Sequence, residues 1–190
     1  MDSLNATPFT AVYDRFLSKV TDNLYLELTK EDTYALLQDL LISAIPMFRF
    51  PRKDLNNYEL GVLHKETIPN KYLEDGSPEM TAEWKGGHFL CELSGEEQEI
   101  LALNMVVLWV TQQIATVELT RQKFSGSDFK FSSQAQHMNK LITVKEDFAW
   151  QTKVAQNLYS RRKVDNKTGL YQSTIGDIMK TPSYGYKIGE

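Results

Sequence analysis

The chain has 190 residues, the usual length of a single domain. It is 42% hydrophobic, 11% aromatic and 24% charged, a composition that can bury a core and that excludes a disordered or collagen-like chain. A disulfide scaffold is excluded as well, because Cys91 is the only cysteine, and this favours a reducing compartment. The longest apolar run, Met105 to Val110, is too short to span a membrane, and the chain does not start with the basic residues of a secretion signal. We therefore expect a soluble protein made inside a cell, with no membrane partner.

The formal net charge of -4 conceals an uneven distribution of charge along the chain. Residues 51–99 contain 5 basic and 11 acidic side chains, whereas residues 121–167 contain 10 basic and 4 acidic ones. Opposite charges on separate segments suit packing between copies of the chain, or an anionic partner for the basic segment. Two oppositely charged faces in contact with solvent would give the same pattern, so both interpretations stay open.

The first helix is predicted close to the start of the chain. Thr7 is placed as its N-cap and Pro8 at the first helical position, where the missing N–H costs nothing. Apolar residues then recur at spacings of three and four, as they do on one face of a helix, until about Thr21. The stripe consists of Phe9, Val12, Tyr13, Phe16, Leu17 and Val20.

A second helix is predicted from a capping signal in which Thr29 precedes the acidic residue Asp32 by three positions. Pro46 ends this helix, because proline cannot continue the hydrogen-bond pattern. Its periodic apolar face consists of Tyr34, Leu36, Leu37, Leu40, Leu41, Ala44 and Ile45.

Residues 51–93 differ from the rest, because prolines and glycines interrupt any helical period. Two short stretches in this region, Gly61 to His64 and His88 to Leu93, have strand character, and the second alternates apolar and polar residues. Strand-length runs are too few for a full sheet domain. We therefore predict an insertion with a small β-hairpin between two helical halves.

The strongest local signal is the capping box Ser94-Gly95-Glu96-Glu97, whose acids lie in a first turn where the helix dipole favours negative charge. The helix that it opens is predicted to end near Gln122 and to be roughly 40 Å long. Its middle is apolar on nearly all sides, which predicts the central helix of the core. We expect Met105, Leu108 and Trp109 to be buried there. Their expected partners on the first two helices are Phe16, Leu37 and Leu41.

A final long helix is predicted from Ser132 or Ser133 to about Lys163. It ends in the basic triplet Arg161, Arg162 and Lys163, which we predict to be a charged interface with an acidic protein surface. The helix dipole alone also favours cations at this end, so a purely local role is one alternative. Another is a nucleic-acid-binding regulator that uses this basic helix, although the interleaved exposed aromatics of such proteins are missing.

Residues 164–190 are rich in glycine and polar residues and are predicted to form an extended C-terminal tail. Their few large apolar side chains cannot offset the entropy lost on ordering the backbone. We therefore predict that the tail binds another subunit, and docking on its own domain is the alternative. The predicted anchors are Tyr171, Ile175, Ile178, Met179, Tyr184 and Tyr186.

Signatures of catalysis, cofactor binding and metal binding are missing from the sequence. There is no phosphate-binding glycine loop, dinucleotide fingerprint, Gly-x-Ser-x-Gly elbow or His-Glu-x-x-His motif. His88 and Cys91 have the spacing of half a metal site, but no second pair completes it. Glu96, Glu97 and Glu99 are explained by the start of a helix. We therefore predict a protein that is not an enzyme and has no catalytic residues, no cofactor and no metal ligands.

These elements together predict a mainly α fold, a bundle of about four helices with a small β-hairpin insertion and an extended C-terminal tail. The predicted helical domain covers residues 1–163, with the insertion at about 51–93, and the tail covers residues 164–190.

Three stretches resemble neck proteins of tailed bacteriophages. They are Pro8 to Leu17, Ala44 to Phe48, and the sequence Phe-Ser-Gly-Ser-Asp-Phe at 124–129, after the long helix. The class that the chain resembles is the head-to-tail connector, or adaptor, which forms a ring beneath the portal. The resemblance covers the helical parts and the tail and leaves out residues 51–93.

The resemblance implies a mostly helical structural subunit in a homo-oligomeric ring of about a dozen copies. The C-terminal segment would bind the portal protein, and a downstream neck or tail protein would be a further partner. DNA would pass through the channel without sequence-specific binding. The chain would be assembled in the host cytoplasm and would reside in the virion, in the neck between capsid and tail.

Overall fold

The structure is a computed structural model that describes residues 6–20, 24–62, 64–72, 78–123, 131–164 and 171–172. It is mostly helical with little sheet, which confirms the predicted fold class. The helices are α1 (Phe9–Leu17), α2 (Leu24–Glu27), α3 (Lys30–Ala44), α4 (Gly95–Lys123) and α5 (Phe131–Arg161). The strands are β1 (Thr7–Pro8), β2 (Tyr58–Glu59), β3 (His64–Tyr72), β4 (Pro78–Lys85), β5 (His88–Phe89), β6 (Lys163–Val164) and β7 (Tyr171–Gln172).

Helix α4 is the centre of the fold, and α1, α3 and α5 pack against it. It begins as predicted, because the Ser94 hydroxyl accepts a hydrogen bond from Glu97 N at 3.3 Å and Glu97 Oε2 accepts one from Ser94 N at 2.7 Å. Every residue from 100 to 107 is buried. A helix that is apolar all round must be covered on all sides, and three neighbouring helices provide the cover.

The predicted core is correct for Met105, Phe16 and Leu37, all of which are fully buried. It is wrong for Leu108 and Trp109, which pack on the core but are only partly buried. The reason is the side of the helix on which they lie, because the next residue, Val110, is fully buried on the side that faces the core.

Helix α1 starts later and ends earlier than predicted, and Thr7 is not its N-cap. Pro8 occupies the cap position, and Thr7 lies in β1. The Thr7 hydroxyl oxygen instead accepts a hydrogen bond from Leu93 N at 2.6 Å, in a buried position. A contact 86 residues away along the sequence has therefore replaced the local cap.

Helix α3 agrees with the sequence at both ends. The Thr29 hydroxyl accepts a hydrogen bond from Asp32 N at 3.2 Å, which is the predicted cap. At the other end, Pro46 lies in a single 3-10 turn, Ile45–Met47, where the α-helix stops. The sequence did not predict the one-turn helix α2, and it placed the start of α5 at Ser132 or Ser133, whereas α5 begins at Phe131.

The insertion contains the predicted hairpin, but from other residues. Its strands are β3 and β4, which are nine and eight residues long, and not the predicted Gly61 to His64 and His88 to Leu93. The alternation after His88 instead reflects burial without pairing, because Leu93 is buried while strand β5 ends at Phe89. Strand β5 lies between β1 and β2 in a short antiparallel sheet beside α1.

Helix α4 is also the one helix among the described residues that is long and apolar enough to span a membrane, over Gly95–Leu119, where an 18-residue window has a mean hydropathy of 1.7. Half of that window is buried inside the structure. Core helices pass the same test of length and composition, so this stretch is weak support for a membrane span.

Candidate functional site

Strands β3 and β4 form an arm that stands apart from the helices. They pair with each other in antiparallel register from His64 opposite Lys85 to Tyr72 opposite Pro78. Among the described elements, neither strand packs extensively on anything except its partner strand. A two-stranded hairpin is marginally stable alone in water, so an arm of this kind has a reason to bind a further surface.

Two glycines bring the base of the arm close to the body. A Cβ added at Gly61 would lie 2.9 Å from the backbone of Gly86, and one added at Gly87 would lie 2.6 Å from the ring of Phe9. The Gly87 carbonyl also accepts a hydrogen bond from Phe9 N at 3.0 Å. The arm therefore leaves the body at a point where two backbone segments and the start of α1 are in close contact.

The register of the arm divides its residues into two alternating sets. Residues directly opposite each other in an antiparallel pair share a face, and successive residues alternate between faces. One face has the opposed pairs Lys65–Trp84, Thr67–Ala82 and Pro69–Met80, and the other has His64–Lys85, Glu66–Glu83 and Ile68–Thr81.

A second apolar surface lies on the outer side of α5 and is called here the outer stripe, formed by Trp150, Val154 and Leu158. A spacing of four places these residues on one helix face, opposite the buried residues Thr152 and Tyr159. Trp150 is 66% exposed, Leu158 is 53% exposed and Val154 is partly buried. Large apolar side chains in a row on an exposed face indicate an interaction surface.

A groove of about 300 Å³ continues this surface beside Leu158. Ile100 and Ala155 provide apolar walls, and charged side chains surround them. An apolar floor with a polar rim is the typical composition of a protein–protein contact. The charged residues of the rim are Arg15, Glu96, Glu99 and Arg162.

The end of α5 is held by a buried acid. Glu97 is only 3% exposed, and the Tyr159 hydroxyl donates a hydrogen bond to its Oε1 at 2.5 Å. Its other oxygen accepts hydrogen bonds from Ser94 N and Oγ at 2.7 and 2.9 Å and lies 3.9 Å from Lys53 Nζ. A buried carboxylate needs such partners, and here they connect the start of α4 to the end of α5. Burial and the hydrogen bond to Glu97 raise the pKa of Tyr159, so its hydroxyl remains a donor at neutral pH.

Arg52 closes the same junction from the insertion. Its guanidinium lies 4.6 Å from the centre of the Tyr159 ring and donates hydrogen bonds to the carbonyls of Tyr159 and Arg162. Arg162 in turn forms an ion pair with Glu96. Carbonyls at a helix end lack partners within the helix, so the insertion supplies the cap that α5 needs.

A second polar link attaches the last third of α5 to the end of α3. Gln156 donates hydrogen bonds to the Met47 carbonyl at 3.1 Å and to Asn104 Oδ1 at 3.3 Å, and it accepts one from Arg49 N at 3.1 Å. Asn104 donates to the Ala44 carbonyl at 3.3 Å. All these groups have partners, so the link is structural, although it borders a groove of about 300 Å³.

The structure places the predicted interface residues as follows. Arg161 is exposed at the end of α5, Arg162 is paired with Glu96 of its own chain, and the backbone of Lys163 lies in β6. Tyr171 lies in β7, directly opposite Val164 of β6, so this first part of the predicted tail pairs with the end of the helical domain. The other five predicted anchors lie outside the described residues: Ile175, Ile178, Met179, Tyr184 and Tyr186.

The buried pair of Glu97 and Tyr159 was not predicted from the sequence. The pattern explained Glu97 only as part of a helix start and gave no role to Tyr159, which is 2% exposed. The available signal was the spacing of Tyr159 from Thr152 and Gln156, seven and three residues, which is the period of a buried helix face.

The described residues contain no group of three or more His, Cys, Asp or Glu side chains that could hold a metal ion. His88 Nε2 lies 3.7 Å from Glu59, which gives this histidine a partner other than Cys91. Burial raises the pKa of the Cys91 thiol, so at neutral pH it is mainly the less reactive protonated form.

No protein-family model matches the chain, and no curated protein and no solved structure is similar to it.

Proposed function

We propose that the chain is a structural subunit of a ring in the neck of a tailed bacteriophage, where it binds the portal protein and joins the capsid to the tail around the DNA channel. The observation that carries the proposal is the arm. A hairpin without extensive packing on its own helices, in a chain with an exposed apolar stripe on α5, suits a subunit that other chains complete.

The charge distribution supports contacts between unlike surfaces of neighbouring copies. The region that contains the arm is acidic and the region that contains α5 is basic. Contacts between two different surfaces repeat from copy to copy and close into a ring when the rotation allows it. Such a ring would give the neck a channel through which DNA passes without sequence-specific binding.

The C-terminal tail is the proposed portal anchor. Strands β6 and β7 turn the chain back toward the end of α5, and Arg52, Glu97 and Tyr159 hold that end against the body. The tail thus starts from a fixed point. Tyr171, Ile178 and Tyr184 are among its proposed contacts, and backbone hydrogen bonds would add affinity.

The test of the proposal is the mass of the purified chain, measured alone and after mixing with its cognate portal protein. A ring of several copies and a larger complex with the portal are expected. A chain that remains a monomer and forms no complex with the portal contradicts the proposal.

The role of the tail is tested by deleting residues 173–190, which leaves both β6 and β7 in place. The deletion should preserve the helical circular dichroism signal and abolish portal binding. A variant in which residues 173–190 are scrambled is the matched control for length and composition, and it should fail in the same way. Unchanged portal affinity of the deletion variant rules out the tail as the anchor.

A nucleic-acid-binding regulator is the alternative, and exposed Lys140, Lys153 and Arg161 on α5 are the observation that favours it. At about 3.6 residues per turn these three residues lie on one side of the helix. Binding to duplex DNA distinguishes the two functions. Weak binding without sequence preference agrees with a channel protein, whereas nanomolar, sequence-selective binding at physiological salt supports the regulator.

A further inference from the structure

We infer that the groove beside Gln156, called here the cationic groove, binds a small organic acid, a molecule with a carboxylate and an apolar body. Arg49 and Lys153 bind the carboxylate, and Phe50 covers the apolar body. The inference goes beyond the proposed ring, because the site lies within one chain and needs neither a second copy nor the portal.

The first argument is the charge of the groove. Arg49 and Lys153 both line it, and both are exposed. Within the part of the chain that the structure describes, neither side chain forms an ion pair or a hydrogen bond, and no acidic residue lines the groove. In the groove beside Leu158, by contrast, both arginines are paired with glutamates. Two cations at one groove without an acid to neutralise them attract an anion.

The second argument is that the two cations are held in place before any ligand arrives. Arg49 follows the end of α3 and Lys153 lies on α5, so they belong to distant parts of the chain. Gln156, three residues after Lys153, accepts a hydrogen bond from Arg49 N at 3.1 Å and donates one to the Met47 carbonyl at 3.1 Å. Gln156 is buried, so this connection is shielded from water. A site whose backbone is already fixed loses less entropy on binding.

The third argument is the size of the groove and its apolar wall. Its volume of about 300 Å³ suits a small molecule. Met47, Val107 and Ala149 provide apolar lining, and Phe50 lines the same groove although it is 58% exposed. An exposed aromatic ring at a groove gains a large apolar contact when a ligand covers it. The ligand therefore has an apolar body as well as a charge.

The expected head group is a carboxylate. The guanidinium of Arg49 is planar and can form two parallel hydrogen bonds with a carboxylate, and the Lys153 ammonium adds a second positive charge. Inorganic phosphate at neutral pH carries more charge, loses more hydration on entering a groove with apolar walls and has no apolar body to offset that loss. The cationic groove should therefore prefer an organic carboxylate to inorganic phosphate.

The experiment measures binding of phenylacetate to the full-length chain by isothermal titration calorimetry at about pH 7. Phenylacetamide is the matched control ligand, because it has the same shape and a neutral head group. Phenylacetate should bind at least about tenfold more tightly than phenylacetamide, since hydrogen bonds between charged groups are the stronger ones. It should also bind at least about tenfold more tightly than inorganic phosphate.

Three variants test the assigned residues, all of which are exposed, so the chain should remain folded by circular dichroism. Arg49→Gln and Lys153→Gln should each weaken phenylacetate binding about tenfold. Lys140→Gln is the matched control, an exposed lysine on the same helix that does not line the groove, and it should have no effect. Phe50→Ala should weaken the binding of phenylacetate and leave the weaker binding of acetate unchanged, because acetate has no aromatic body.

Several results would overturn the inference. They are equal affinities for phenylacetate and phenylacetamide, equal or tighter binding of inorganic phosphate, and unchanged affinity in both Arg49→Gln and Lys153→Gln. Absence of any binding at about 10 mM phenylacetate also overturns it. None of these results affects the proposed ring, which is tested by the mass of the chain with and without the portal protein.

Discussion

Two buried tyrosines have hydroxyl groups in opposite situations. The Tyr159 hydroxyl donates to Glu97 and accepts a hydrogen bond from Arg52 N at 3.3 Å. The Tyr13 hydroxyl is buried and has no hydrogen-bond partner among the described residues. A buried polar group without a partner is unfavourable, and removing one member of a buried pair leaves the other in the same condition.

Replacing each tyrosine with phenylalanine should therefore have different effects on stability. Tyr159→Phe deprives the buried Glu97 of a donor and should lower the free energy of unfolding by about 1–3 kcal/mol. Tyr13→Phe removes an unpaired hydroxyl and should leave stability unchanged or raise it slightly. Urea unfolding measures both. Equal losses would mean that the Tyr13 hydroxyl has a partner.

The raised pKa values of three tyrosines predict that the protein loses stability in alkali. Burial raises the pKa of Tyr13 and Tyr34, and burial with the Glu97 hydrogen bond raises that of Tyr159. Above about pH 10 the unfolded chain releases these protons and the folded chain retains them. The folded state then binds more protons, so the free energy of unfolding falls as pH rises.

We expect this decline to be shallower in the double variant Tyr13→Phe/Tyr159→Phe than in the unmodified chain. The measurement is urea unfolding at about pH 8 and about pH 11, compared within each protein. Stability that is unaffected by pH in this range in both proteins would contradict the raised pKa values.

Gly87 is a position where close packing excludes a side chain. A Cβ there would lie 2.6–2.7 Å from two atoms of the Phe9 ring and from Gln38 Oε1, and Phe9 is fully buried. Gly87→Ala should lower the free energy of unfolding by about 1–3 kcal/mol, because the ring must move. Gly95→Ala is the control, since its Cβ would be 3.4 Å from a flexible arginine end, and it should have little effect. Thermal unfolding of the two variants measures both effects on stability.

At the scale of elements, α4 is divided into a buried half and an exposed half. Leu101 is fully buried, while Leu119 on the same helix is 58% exposed. Leu101→Ala should lower the free energy of unfolding by about 2–5 kcal/mol, because it leaves a cavity. Leu119→Ala should change it by no more than about 0.5 kcal/mol. Urea unfolding of the monomeric chain would reveal a different packing of α4 if the two losses were equal.

At the scale of the whole molecule, the charge difference between the arm region and α5 should make assembly sensitive to salt. Some of the basic charge is already neutralised within the chain, because Arg162 pairs with Glu96 and Lys53 lies near Glu97. The remaining charge acts between copies only through solvent-exposed groups, which salt screens over about 10 Å or less.

Raising the salt concentration from about 50 mM to about 500 mM should therefore weaken assembly without unfolding the helices. Analytical ultracentrifugation at several salt concentrations measures the first effect, and circular dichroism controls for the second. Assembly that does not respond to salt would indicate that the apolar surfaces alone hold the copies together.

The sequence predicted those elements whose signals are local. The caps of α3 and α4 depend on residues three positions apart, Thr29 with Asp32 and Ser94 with Glu97, and both are present as predicted. The buried middle of α4 followed from its composition. Hydrogen bonds at this short range form in the isolated helix as well, so no distant contact was needed to foresee them.

Tertiary structure alone decided the contacts between distant residues. Thr7 has the identity of an N-cap but binds Leu93, and Glu97 has the identity of a cap residue but also accepts from Tyr159, 62 residues away. The sequence pattern assigned each of these residues a hydrogen bond to a neighbour in the chain. In the folded protein, a buried polar atom forms its hydrogen bond with whichever group the packing brings near. The separation of the arm from the helices likewise depends on how α1, α3 and α5 occupy the surface of α4, because a strand's sequence specifies its own faces and not what covers them.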